Sequence, residues 1–389
     1  MDLWILDDQY QRSSIYDGYI SLIWTDRYTA YGDFELVTAN SREARGLFKD
    51  GTKLGIYSSD RVMLVETVEE TRSDSGENLL KIKGRSLESI MDQRVAISAA
   101  MLSGIGSTPK WVFSAYRPHA TMALLYKIVL YDGALNVNDV FSSVPWLSVY
   151  SEGIPFPPDV VRFEFEPDTV YNSIKKVADL YNIGFRIKWY QSAGELRFTV
   201  YTGTDRSSGQ TAAPSVVFDE NTDSLTNVSS LRSTAGMKTV ALILANNATS
   251  WVYADNYDPS SVDLNRKVVV GTIDSDLPAG ADLNALMLQK GKELLGEHRP
   301  IIGFDGEVPQ NSTYKYGVDY GLGDLVELRD SSGNINVMRV TEQIFVSDKE
   351  GIRSYPTLTF DMLITPGTWL ARPTNQQWAD VTTETWAQA

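Results

Sequence analysis

From Ile5 to Gly84, apolar and polar residues alternate over short runs rich in β-branched and aromatic side chains, the pattern of half-buried strands. Tyr19-Ile20-Ser21-Leu22-Ile23-Trp24, Asp33-Phe34-Glu35-Leu36-Val37 and Val62 to Val68 carry it most clearly. The last of these runs on to Thr71, meets Ser73-Asp74-Ser75-Gly76-Glu77, and resumes as Leu79-Leu80-Lys81-Ile82-Lys83, which predicts a hairpin. At Ser86 the period changes. Leu87, Ile90, Met91 and Val95 fall on one helical face, Glu88, Ser89, Asp92 and Gln93 on the polar side, and Ser86 stands as N-cap. A second helix is predicted from about His119 to Leu130. A third has the stripe Val170, Ile174, Val177 and Tyr181, with Asp168 as cap and Gly184 as its C-terminal stop. Phe185–Tyr190, a Gln191-Ser192-Ala193-Gly194 turn and Glu195–Tyr201 then form a hairpin. Helix followed by hairpin reads as a small α+β unit.

Between these elements, Ser142 to Asp159 holds four prolines and should be partly extended, and Thr202 to Pro214 has the composition of a linker or exposed loop. Strand patterns return at Lys238–Ala245 and Trp251–Ala254. A further helical stripe, Leu283, Leu286, Leu294 and Leu295, follows Asp282 and is interrupted by Gly291. After Pro300 the chain is β again: Leu325–Arg329, an Asp330-Ser331-Ser332-Gly333-Asn334 turn, Ile335–Val346 and Pro356–Leu363. Residues 366–389 are polar yet hold three of the nine tryptophans, so they should dock onto something. Each end of the chain sets Tyr, Gly and Asp before an apolar strand: Tyr31-Gly32-Asp33-Phe34 and Tyr320-Gly321-Leu322-Gly323-Asp324-Leu325. The class read from this pattern is α+β, mainly β, with two β domains of similar plan interrupted by helical and α+β insertions.

Composition narrows the chemistry. The 389 residues exceed the roughly 250–300 at which single cores stop growing, so more than one compact unit is expected. There is no cysteine, hence no disulfide, thiol nucleophile or Cys-ligated metal, and two histidines leave little for a His-rich centre. A formal charge of −15 argues against a basic sheath for nucleic acid. The acidic N-terminus and the lack of a long apolar run predict a soluble chain made in the cytosol, with no signal peptide and no membrane insertion.

Catalytic signatures fail one by one. Gly84-Arg85-Ser86-Leu87-Glu88 has Glu88 where a nucleophile elbow needs glycine. Asp219 to Ser224 begins like a calcium loop but lacks the glycine at its sixth position and has Ser230 in place of the bidentate Glu. Gly104-Ile105-Gly106 and Gly321-Leu322-Gly323 lack the third glycine of a dinucleotide fingerprint. His119 and His298 read as structural or surface residues. A pair of Asp/Glu side chains cannot be singled out from the sequence, and the many Trp and Tyr read first as core and interface residues.

Asp26-Arg27-Tyr28-Thr29-Ala30-Tyr31-Gly32-Asp33-Phe34-Glu35-Leu36 resembles the start of the first barrel in tail-tip hub proteins of long-tailed phages. Leu80-Lys81-Ile82-Lys83-Gly84-Arg85-Ser86, leading to Arg94-Val95, is similar to the step by which the chain leaves that barrel. Val170 to Gly184-Phe185 resembles the family's helix-then-hairpin insertion, and Tyr316 to Val326 its Asp-Tyr-x-x-Gly-Asp segment before the second barrel. Over roughly residues 15–365 the chain is thus similar to the siphophage minor tail, or baseplate hub, family, especially of phages infecting actinobacterial and other Gram-positive hosts.

The resemblance implies a first β-barrel domain over 1–85, a helical and α+β insertion over 86–214, strands shared with the second barrel over 215–255, a helical insertion over 256–299, a second barrel over 300–365 and a Trp-bearing tail over 366–389. Tyr31, Gly32, Asp33, Phe34, Gly84, Arg85, Tyr320, Gly323 and Asp324 become its structural motif positions. The glycines would permit tight backbone geometry, and the two aspartates would satisfy adjacent turn amides. It further implies a non-enzymatic homotrimer, without cofactor or metal, at the distal end of the tail in the virion. Its expected neighbours are a distal tail protein, the tape-measure protein and receptor-binding or fibre proteins, with DNA crossing the lumen without specific binding. The alternative is a tail-tip carbohydrate-binding protein or glycan hydrolase acting on the host envelope. Many relatives carry a fibre or wall-cleaving domain after the second barrel, which the Trp-bearing tail does not resemble. A periplasmic-type binding protein is disfavoured by the scarcity of alternating β–α units.

Overall fold

The computed structural model describes residues 1–360 apart from 73–75, 77, 99–100, 102–109, 132–146, 152–160, 194, 220–225, 246–247, 255–256, 259, 261–263, 265, 274–281, 308–312 and 330–334. Two compact units emerge. The larger comprises Met1–Leu231 with Gly303–Phe360, and the smaller is built on Arg232–Ile302.

In the larger unit a mixed sheet of thirteen strands forms the frame. Its order follows from alternation. Phe34, Leu36 and Thr38 of Asp33–Ala39, and Leu80, Ile82 and Gly84 of Asn78–Ser86, are buried, while the residues between them reach solvent. Burying one face of each fixes the register. Tyr19–Arg27 pairs antiparallel with Asp33–Ala39 on one side and with Ile335–Asp348 on the other. Strands from both expected barrels therefore lie in one sheet, and no closed barrel is formed among the described residues. The predicted pairings are present as Met63–Arg72 with Asn78–Ser86, Gly184–Tyr190 with Glu195–Tyr201 and Leu325–Arg329 with Ile335–Asp348, and a further hairpin joins Ile335–Asp348 to Gly351–Phe360. One apolar cluster gathers Leu3, Leu22, Trp24, Phe34, Leu36, Leu54 and Ile82. A second gathers Tyr28, Phe218, Tyr320, Val326, Val340 and Leu358.

The inserted segment packs around a third cluster, in which Phe113, Tyr126, Val170, Ile174, Val177, Phe185 and Phe198 are buried. Its helix Val170–Tyr181 carries the predicted stripe. The caps differ from expectation: Thr169, not Asp168, accepts from the Asn172 amide, and the helix ends at Asn182 in the left-handed region with φ 49°. Asn tolerates that conformation, so Gly184 is free to open the next strand, Gly184–Tyr190. The helix predicted after Pro118 runs from Pro118 to Tyr126 and continues as a π turn over Lys127–Tyr131.

At residues 86–95 the helical reading needs correction. Leu87–Gln93 is a 3-10 helix, Ser86 makes no side-chain cap, and Val95 belongs to a short strand. Glu88 and Ser89, expected on a polar face, are both buried. The polar reading failed because Glu88 has a buried cationic partner more than twenty residues away.

The smaller unit sets one helix on one sheet. Val240–Ala245 lies between Ala248–Tyr253 and Val268–Thr272. The helix Leu283–Glu297 is capped by Asp282, which accepts from the Asn284 and Ala285 amides. It runs through Gly291 without the expected interruption. A Cβ there would come within 2.4 Å of Val252, so the missing side chain lets helix and sheet approach. No helix among the described residues is long and apolar enough to cross a membrane.

Candidate functional site

Six of the nine motif positions meet at the start of Asp33–Ala39. The Gly32 amide donates to Ser86 Oγ at 2.7 Å and its carbonyl accepts from the Ser86 amide at 2.8 Å. A Cβ at Gly32 would lie 2.3 Å from the Thr25 carbonyl oxygen, so no other residue fits the crossing. Phe34 sits opposite Gly84, whose own Cβ would strike the Leu64 carbonyl and the Phe34 ring. Tyr31 packs its ring 4.6 Å from that of Tyr171 in the inserted helix. Above Tyr31 lies the Arg85 guanidinium at 5.0 Å, itself held by Glu66 at 2.8 Å and Asp92 at 2.9 Å. Asp33 binds Arg27 Nη1 at 2.7 Å.

Tyr320, Gly323 and Asp324 form a separate group. Tyr320 is buried against Phe218, and its hydroxyl donates to Gln343 Oε1 at 3.3 Å. Burial pushes its pKa above the ordinary phenol value, and the Asp319 charge adds to that. Gly323 has φ 89°, and a Cβ there would come within 2.3 Å of the Tyr28 ring edge. The Asp324 carboxylate accepts from the Gly321 amide at 2.9 Å, the Thr204 amide at 2.7 Å and Arg206 Nε at 2.7 Å. Ser208 donates to Glu327 in the same way. Thr202 to Pro214, expected as a linker or exposed loop, is a largely exposed loop tied to Asp324 and to the strand Leu325–Arg329 by buried acceptors.

Between the two groups lies a polar junction that sequence reasoning missed. Tyr28 presses its ring against Gly323 and Gly184, and its hydroxyl donates to the Asn182 carbonyl at 2.8 Å. Beside it Arg61 is fully buried. Arg61 pairs with Glu88 at 2.9 Å and donates to the carbonyls of Arg27, Ala30 and Phe185. Glu88 Oε1 also accepts from the Ile187 amide at 2.7 Å. One guanidinium therefore ties the first strands of the sheet, the 3-10 helix and the inserted hairpin together. Asp26 is buried close by and accepts from Trp24 Nε1 at 3.0 Å. Burial drives its pKa up to about 6. Arg61, Ser59 and Trp24 pull it down, and Asp60 pushes it further up.

Arg61 stands between Asp60 and the apolar Val62-Met63, and nothing in that local pattern marks it as interior. Its partner was in view, because Glu88 was the residue that spoiled the nucleophile elbow.

As chemistry, the junction is closed. Arg61, Glu88 and Asp26 are all buried, so none reaches a substrate; their hydrogen bonds hold backbone carbonyls and amides in register. Among the described residues no group of three or more His, Asp or Glu is placed to hold a metal ion. His119 is half-buried, and burial together with Arg117 lowers its pKa. The calcium-loop positions after Asp219, and Gly104 to Gly106, lie outside the described residues; Asp219 itself faces Arg329 at 3.4 Å.

The fold is shared by phage proteins. A tail protein from Neisseria meningitidis MC58 superposes with a TM-score of 0.58 at 15 % identity, covering 95 % of this chain and 98 % of that one. The 43 kDa tail protein of prophage MuSo2 from Shewanella oneidensis gives 0.55 at 13 % identity, covering 92 % and 98 %. Prophage tail protein gp18 from Listeria monocytogenes EGD-e gives 0.50 at 12 %, covering 94 % and 96 %. A comparison with curated protein sequences found no match. Residues 2–358 match the Siphovirus ReqiPepy6 Gp37-like protein family, and with nearly the whole chain covered the protein belongs to that family.

Proposed function

We propose that this structural tail component is the hub at the distal tip of the tail, a non-enzymatic homotrimer that continues or closes the tail tube. The observation that carries the reading is the joining of the first and last β segments side by side, through Tyr19–Arg27 paired with Ile335–Asp348, each segment bearing a Tyr–Gly–Asp strand entry. One chain then offers two like units to a ring, and three chains offer six, matching a sixfold tube to a threefold tip. A ring also removes exposed sheet edges, a physical reason to assemble. The distal tail protein and receptor-binding or fibre proteins are its neighbours outside, and the tape-measure protein ends in its lumen. Three copies carry three times −15, a formal −45, and part of that excess lines the lumen so that phosphate backbones pass without sticking.

Electron microscopy of virions tests the assignment: density for this chain is expected at the distal tail end as three copies. Density elsewhere along the particle, or a neutral or basic channel wall, overturns the corresponding part.

A further inference from the structure

The sheet of the smaller unit has two unlike faces. Ala241, Ile243, Val252 and Val269 point at the helix, where they bury Met287 and Leu295. Pairing then fixes the other face in three rows: Val240, Tyr253 and Val268 at one end, Leu242, Trp251 and Val270 in the middle, and Leu244, Thr249 and Thr272 at the other end. Seven of these nine side chains are large and apolar; Val240 is buried, yet Trp251 is 44 % exposed and Val270 57 %. A sheet with one helix-covered face ordinarily turns polar residues to water on the other. Among the described residues its buried cluster holds five members, and no second layer lies on the other face of the sheet.

The face also has a charged end. The Arg266 guanidinium lies 5.2 Å from the Trp251 ring centre. Lys238 lies two residues before Val240, so it and Arg266 share the end where the strands holding Val240 and Val268 begin, while Lys267 is in phase with Val269 and its Nζ donates to the Thr234 carbonyl at 3.0 Å. Asp258, a described carboxylate on the turn after Tyr253, is engaged by Ser260 at 2.6 and 2.8 Å. The occupant this surface fits is aromatic and acidic.

We propose that residues 366–389 of this chain, outside the described residues, cover this face. They hold Trp369, Trp378 and Trp386, with Asp380 and Glu384 against the single cation Arg372. In an extended chain Trp378, Asp380, Thr382, Glu384 and Trp386 share one side, which brings two rings and two carboxylates to the sheet together. Trp378 to Trp386 spans about 30 Å extended, enough to cross all three strands. A second copy of the same face would instead bring Arg266 and Lys238 toward their own like charges. The inference stands apart from the hub reading.

The chain has no cysteine, so Val270→Cys gives one thiol on the exposed face. Maleimide labelling of that thiol is expected at least about tenfold slower on the full chain than on one ended at residue 365, a ratio equivalent to about 1.4 kcal/mol of docking. A benzophenone maleimide on the full chain should crosslink to the peptides bearing Trp378 or Trp386. A product of single-chain mass identifies the chain's own segment, and a double-mass product the same segment from a neighbouring copy. Asp380→Lys with Glu384→Lys should speed labelling of the full chain. Equal rates with and without 366–389, or crosslinks to residues elsewhere in this chain or another protein, overturn the proposal.

Discussion

Asp33 and Asp324 each follow a glycine in a Tyr–Gly–Asp setting, yet the fold uses them differently. Asp33 is half exposed and binds one arginine, Arg27, which is also held by Glu342 at 2.6 Å. Asp324 is buried and serves three donors, two of them on a loop more than a hundred residues away. Their glycines, by contrast, do the same work. Gly32 lets one strand cross the Thr25 carbonyl, and Gly323 adopts a left-handed turn against Tyr28. What the repeated letters encode is a close backbone approach beside the junction. The role of the following carboxylate depends on whether a loop closes over it.

The junction shared by both strand starts is the place to break the comparison. Arg61→Ala leaves Glu88 buried without its cation and should cost about 3–5 kcal/mol, read as a lower urea midpoint. Arg61→Met combined with Glu88→Leu should recover much of that loss, since neither charge is then stranded. Asp26 gives the next largest effect. Its folded pKa of about 6 lies above the ordinary 3.8, so the folded state takes up a proton first as pH falls. Above pH 6 the charged, buried carboxylate lowers stability, and the penalty is relieved as pH drops from about 6 towards 4. Asp26→Asn should therefore raise stability by up to about 3 kcal/mol at pH 8, with the gain vanishing near pH 4 in urea titrations across pH.

The two aspartates then sharpen the contrast directly. Asp324→Ala strands the Thr204 and Gly321 amides and Arg206, and should cost about 2–3 kcal/mol. It should also speed proteolysis within residues 202–214, a readout that loss of the Arg61 pair need not share. Asp33→Ala should cost only about 0.5 kcal/mol, because the ion pair is solvent-screened and Arg27 keeps Glu342. Equal costs for the two substitutions would refute the distinction drawn here.

Much of the frame was legible because one-sided burial writes itself into alternation. Leu80 and Ile82, or Val170, Ile174 and Val177, report their faces from spacing alone. Helix ends were less legible. Thr169 and Asn182 compete with Asp168 and Gly184 as caps, and the choice rests on backbone angles that no residue type dictates. The junction was invisible for a different reason. Arg61 and Glu88 look like surface residues, and only their mutual distance in the folded chain makes their burial tolerable. The polar face assigned to Glu88 and Ser89 failed on that point. The loop 202–214 was legible as an exposed loop, but its anchoring was not, since its Gly, Ser and Thr content does not announce the hydrogen bonds to Asp324 and Glu327.

The pairing of Tyr19–Arg27 with Ile335–Asp348 has a consequence for the order in which the chain acquires structure. The Arg27–Glu342 contact spans 315 residues, so the main sheet stays incomplete until nearly the whole chain has left the ribosome. The inserted segment closes locally instead, Gly184–Tyr190 on Glu195–Tyr201 and helix Val170–Tyr181 beside them. It should be folded and waiting while the N-terminal strands still expose the edge that Ile335–Asp348 will occupy. That interval is when the nascent chain is most open to pairing with the wrong partner.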